Sequence, residues 1–175
     1  MYTKNGPAGI EVYLNVYDLN PSSNASLYNC GLGFYHTGIQ LDLKEFTFGY
    51  HPGDQTGVME VTPKVNHPNF RETILLGVTT YKYREIFDML DNIKEKFSGN
   101  SYHVIRKNCN TFTNCFADAL LHKPIPPWVN RMANIGKGML EIQDFFGMRP
   151  YDRKYETSAQ ELGVKLEEKK DVFSK

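Results

Sequence analysis

The sequence predicts an α+β fold, a small, curled, mostly antiparallel sheet packed with helices. Several short runs with strand-like alternation come first, separated by turn signals. The first long stretch with helical spacing begins only near residue 80, and a second follows near residue 109. Strands gathered ahead of the helices, rather than alternating with them, give this class.

Residues 11–19 alternate, with Val12, Leu14 and Val16 on one side, and predict the first strand. Asn20-Pro21-Ser22-Ser23-Asn24 ends it as a loop. A second extended run covers residues 33–43. There Tyr35, Thr37, Ile39 and Leu41 share one face, while Phe34, His36, Gly38 and Gln40 share the other. His36 thus stands beside a glycine, where a neighbouring element can come close. A third strand is expected over 45–50, then a turn at His51-Pro52-Gly53-Asp54. Residues 57–62 and 73–78 are further strands, separated by a loop over 63–68.

Thr80 is the expected cap of a helix running to about residue 97, with Ile86, Met89, Leu90, Ile93 and Phe97 as its buried stripe. Ser98-Gly99-Asn100 stops it, and Tyr102-His103-Val104-Ile105-Arg106 reads as extended. Pro127 or Trp128 opens a helix through Val129, Met132 and Ala133, and a last helical piece spans 137–146. From Gly147 onward the chain is polar and poor in core residues. The expected organisation is one domain over residues 1–146 and a charged tail over 147–175.

The second helix carries the chemistry. Phe112, Cys115, Phe116, Ala119 and Leu120 fall on one helical face, and Asn108 is a good N-cap just ahead of them. Cys109 would then open the helix, where unpaired N–H groups and the positive end of the macrodipole favour a thiolate. A free thiol has a pKa of about 8.5, and such positions can bring it to roughly 3.5–7.5. The same N–H groups, that of Cys109 first, could hold the oxyanion of an acyl-transfer intermediate. Most single cysteines are small buried hydrophobes. Cys115 fits that description, because it lies with Phe112 and Phe116, roughly 120° around the helix from Cys109.

Composition narrows the function. The chain has 175 residues, with 20 basic side chains against 20 acidic ones, which suits one domain and offers no electrostatic footprint for nucleic acid. Three cysteines without a CxxC pair argue for a reducing compartment, the cytoplasm or also the nucleus. No apolar run reaches the length of a membrane span, and the N-terminus lacks the apolar stretch of a signal peptide. The five histidines show no metal-ligand spacing, so neither a metal nor another cofactor is expected.

A cysteine nucleophile needs an imidazole within hydrogen-bond reach. His103 would lie roughly 20 Å from Cys109 along an extended run. His122 would lie about as far away at the other end of the helix. His36, on a separate strand, is free to face the helix start, and elimination leaves it as the base.

Asn108-Cys109-Asn110-Thr111-Phe112-Thr113-Asn114, with Gly33-Phe34-Tyr35-His36-Thr37-Gly38 upstream, resembles the PPPDE family of permuted papain-fold peptidases, which includes the desumoylating isopeptidases (DeSI proteins). The resemblance extends to Val16-Tyr17-Asp18-Leu19, Glu45-Phe46-Thr47-Phe48-Gly49 and Ile125-Pro126-Pro127-Trp128-Val129-Asn130-Arg131. Phe48-Gly49-Tyr50-His51-Pro52 and Trp128-Val129-Asn130-Arg131 look most like the DeSI-2 branch. The resemblance implies a permuted papain-like fold, with Cys109 as nucleophile and His36 as base. It further implies an isopeptidase acting on ubiquitin or SUMO conjugates. Two alternatives stay open on the sequence, a thioesterase removing S-acyl groups with the same two residues and a non-catalytic ubiquitin-binding module. The sequence is compatible with a homodimer and names no third catalytic residue.

Overall fold

A computed structural model describes residues 9–19, 21, 33–65, 69–131 and 135. Five strands form one sheet: β1 (Ile10–Asp18), β2 (Tyr35–Leu41), β3 (Lys44–Phe48), β4 (Val58–Val61) and β5 (Phe70–Thr79). Their order is β4-β3-β2-β1-β5, and every pairing is antiparallel. Helices α1 (Tyr83–Lys94) and α2 (Cys109–Leu121) follow, with short 3-10 turns at Gly99–Ser101 and Pro127–Asn130. The α+β class and the antiparallel sheet are as the sequence predicts. Irregularities in the β1–β5 register, at Val12/Tyr13 and Val16/Tyr17, add twist to that end of the sheet.

The alternation of side chains divides the sheet into two unlike faces. On one, Val12, Leu14, Val16, Ile39, Phe46 and Phe48 are buried in the core with Phe112 and Phe116 of α2. Ring contacts tie the layers together: Phe46 meets Phe116 at 6.0 Å, Phe48 meets Phe97 at 5.0 Å, and Phe97 meets Phe112 at 5.5 Å. Each fully buried aromatic of this kind contributes about 1.5–3 kcal/mol through the area it removes from water.

The other face is polar, with a buried carboxyl at its centre. Glu45 is only 1 % exposed, and its Oε2 accepts from Asn15 Nδ2 at 2.6 Å and from the Tyr17 hydroxyl at 2.7 Å. Burial raises the Glu45 pKa more than these donors lower it. Gly38 lies beneath this carboxyl, and a Cβ there would collide with Glu45 Oε1. The close approach that the sequence suggested beside His36 is thus made by Glu45.

Several boundaries differ from expectation. The second strand stops at Leu41, because Asp42 and Leu43 form a two-residue turn with Asp42 at φ 50° and Leu41 paired to Lys44. Helix α1 starts at Tyr83 rather than after Thr80, since β5 runs on through Thr79. Its first turn is closed by the Lys82 N–H donating to Glu85 Oε2 at 2.7 Å. The helix expected from Pro127 opens as a 3-10 turn, Pro127–Asn130, with Arg131 helical after it, while Met132 and Ala133 lie outside the described residues. The helical piece over 137–146, the boundary at 146/147 and the tail lie outside the described residues.

Candidate active site

Helix α2 begins where the sequence places it. Asn108 is extended, and its Oδ1 accepts from the Thr111 N–H at 2.9 Å, so Cys109 is the first helical residue. Asn108 Nδ2 donates to Val104 O at 2.8 Å and fixes the cap to the preceding segment. That segment is not extended. His103 and Lys107 exchange backbone hydrogen bonds of 2.9 Å around a tight turn. His103 Nδ1 accepts from the N–H groups of Ile105 and Arg106, both at 3.2 Å. The separation of roughly 20 Å used to set His103 aside therefore does not exist. Its ring is engaged in holding the turn, and burial and Arg106 both lower its pKa. His103 is a structural histidine.

The Cys109 sulfur sits against the edge of β2. It lies 4.0 Å from the Tyr35 carbonyl oxygen and 3.6 Å from Asn110 Oδ1. The backbone N–H groups of Thr37, Asn110 and Cys109, with the Tyr102 hydroxyl, are hydrogen-bond donors that favour its ionised form. The thiol is therefore bracketed by the residues immediately before and after His36. Asn110 fastens this contact. Its Oδ1 accepts from Thr37 Oγ1 at 2.7 Å, and its Nδ2 donates to Tyr35 O and Val129 O, each at 3.3 Å.

His36 belongs to the polar face. It pairs with Tyr17 across β1 and β2, with the two rings 6.1 Å apart. Its Nε2 lies 2.9 Å from Thr47 Oγ1, and that hydroxyl donates to Thr37 O at 2.8 Å. One stretch of β2, Tyr35-His36-Thr37, thus presents backbone to the sulfur and an imidazole to β3.

The resting thiol differs from expectation. Cys109 is 2 % exposed, and burial pushes its pKa up to about 11. A helix N-terminus is worth about 0.3–1 kcal/mol to a charge, less than one pKa unit, whereas burial can shift a group by several units. Desolvation wins here, and the isolated side chain rests as a thiol. Chemistry at Cys109 consequently requires a base that takes the proton as the sulfur attacks.

Tyr102 and Thr47 escaped the sequence reading. Tyr102 sits in the stretch read as extended, so its hydroxyl had no visible target. Thr47 is hidden by the turn at Asp42 and Leu43. Continuing the observed Ile39–Phe46 register by one step sets Thr47 opposite Gly38 and next to His36. Among the described residues, no three His, Cys, Asp or Glu side chains gather as metal ligands, and no helix is long and apolar enough to cross a membrane.

Known proteins share much of this sequence. The PPPDE peptidase domain matches residues 10–149. A DeSI-like protein of Arabidopsis thaliana is 42 % identical over 127 residues, 71 % of this chain and 56 % of the relative. A DeSI-like protein of Schizosaccharomyces pombe is 40 % identical over 133 residues, covering 73 % of this chain and 66 % of that one. A protein of Caenorhabditis elegans named desumoylating isopeptidase 1 homolog is 36 % identical over 129 residues, 71 % of this chain. The chain spans only 38 % of that last relative's length. With the family domain extending over most of its length, the chain belongs to the PPPDE peptidase family.

Proposed function

We propose that this protein is a cysteine isopeptidase that hydrolyses the bond between the C-terminal glycine of SUMO or ubiquitin and a lysine side chain. The observation that carries the reading is the seat of the Cys109 sulfur, at the start of α2 and against the backbone on both sides of His36. The name of the C. elegans relative, a desumoylating isopeptidase 1 homolog, supports the SUMO part of this reading, and the Arabidopsis and yeast relatives are named DeSI-like. Cys109 Sγ attacks the glycine carbonyl carbon while His36 takes the thiol proton. The Cys109 N–H, which has no intrahelical partner at the helix start, turns to the oxyanion. His36, now imidazolium, gives its proton to the departing lysine amine and leaves a thioester on Cys109. Water, deprotonated by neutral His36, releases the carboxylate and restores the thiol. Three cysteines without a CxxC pair suit a reducing compartment, so the cytoplasm and the nucleus are the proposed sites of action.

Incubation with SUMO and with ubiquitin carrying C-terminal electrophiles tests the reading. The expected result is a covalent adduct at Cys109, mapped by mass spectrometry, with at least one of the two modifiers. Labelling at another residue would reject the assignment. Turnover of S-acyl thioesters with no adduct from either modifier would move it to thioesterase, and inertness towards both classes would leave a binding module.

A further inference from the structure

His36 touches a hydroxyl that has only one proton to give. Thr47 Oγ1 lies 2.8 Å from Thr37 O and 2.9 Å from His36 Nε2. A carbonyl oxygen can only accept, so the Thr47 proton is committed to Thr37 O. The remaining contact is favourable only if His36 Nε2 carries the hydrogen and the Thr47 oxygen accepts it. Neutral imidazole has one N–H, which makes Nδ1 the basic nitrogen.

We propose that Thr47 is a positioning residue of the active site, fixing His36 as the Nε2–H tautomer and thereby making Nδ1 the atom that takes the Cys109 proton. The proposal rests on the reading of His36 as the base. It supplies the member that Cys109 and His36 alone lack, a group orienting the imidazole. In the first step the S–H bond breaks, its electron pair forms the bond to the substrate carbon, and the proton moves to Nδ1. The imidazolium then holds hydrogens on both nitrogens, and the one on Nε2 stays there throughout, donated to the Thr47 oxygen. The anchor is rigid at both ends. Thr47 is a buried residue of β3, and Thr37 is bound to Asn110 at the start of α2. The hydroxyl therefore ties the imidazole to the strand that also donates to the sulfur through the Thr37 N–H.

Two measurements test this. The first is long-range 1H–15N correlation spectroscopy of His36 in the Cys109→Ser protein, above the pH at which the ring titrates. The expected result is a pyrrole-type Nε2 and a pyridine-type Nδ1, replaced by a mixture of tautomers in the Cys109→Ser, Thr47→Val protein. A pyridine-type Nε2 in the protein that retains Thr47 would overturn the proposal, whatever the enzyme's substrate. The second compares turnover of the conjugate that the electrophile probes select. Thr47→Val is expected to lower kcat by about tenfold, the effect of losing one hydrogen bond, with little change in KM. Thr47→Ser, which keeps the hydroxyl, is expected to stay near wild type. Equal kcat in Thr47→Val and wild type would also overturn it. Failure of every probe on the wild-type protein would instead strike the isopeptidase reading and leave the spectroscopic result standing by itself.

Discussion

The first and second turns of α2 carry one cysteine each, and the two occupy opposite chemical settings. Cys115 is half-buried and packs against the apolar core, its pKa raised by burial. Cys109 is the more buried of the pair, yet its sulfur is ringed by backbone N–H groups, a carbonyl, the Asn110 side chain and the Tyr102 hydroxyl. Exposure alone would choose Cys115. What separates them is the set of donors aimed at the sulfur, and a helix supplies free donors only in its first turn.

The strongest way to break this comparison is to exchange the roles. Cys109→Ala is expected to abolish adduct formation with the modifier electrophiles, while Cys115→Ala retains it near the wild-type rate, as read by intact-mass spectrometry. Adduct formation that depends on Cys115 would invert the argument.

Removing the proposed base is the next largest effect. His36→Ala is expected to lower turnover by about 10²–10⁴-fold, the range for loss of a general base. Its alkylation should also reveal the bare thiol. With the Cys109 pKa near 11, only about one molecule in 10⁴ is thiolate at pH 7. Iodoacetamide labelling of Cys109 in this variant should then rise about tenfold per pH unit between pH 7 and 9. A rate that is flat over that interval would show a thiol ionised well below 11.

Smaller changes sharpen the contrast. The Tyr102 hydroxyl favours the thiolate, so Tyr102→Phe should raise the Cys109 pKa further. Alkylation of Cys109 at fixed pH should fall roughly three- to tenfold, with Cys115 unaffected. Asn108→Ala removes the cap acceptor of Thr111 and the bond to Val104 O. It should cost about 1–2 kcal/mol of stability by urea unfolding. An unchanged midpoint would mean that the first turn of α2 is held by its packing on β2 rather than by its cap.

How much of this was legible follows the range of each interaction. The N-cap at Asn108 and the position of Cys109 at the helix start depend on residues within one turn of each other, and the local pattern displays them. The faces of β2 were equally plain, because alternation is a property of the strand itself: Thr37 does meet α2, and Gly38 does lie under Glu45. The turn from His103 to Lys107 was misread because its bonds run from an imidazole to two backbone N–H groups, and no periodicity announces them.

Spacing and motif were enough to name the residues able to carry the chemistry, the apolar stripes of α1 and α2 and the kinship with PPPDE peptidases. How the thiol rests and what the imidazole touches came from packing across the fold. The protonation state of Cys109 follows from everything packed around it, and desolvation there outweighs a helix dipole that could be read in advance. The contact between His36 and Thr47 depends on the register across a two-residue turn, where a shift of one residue would send Thr47 to the opposite face.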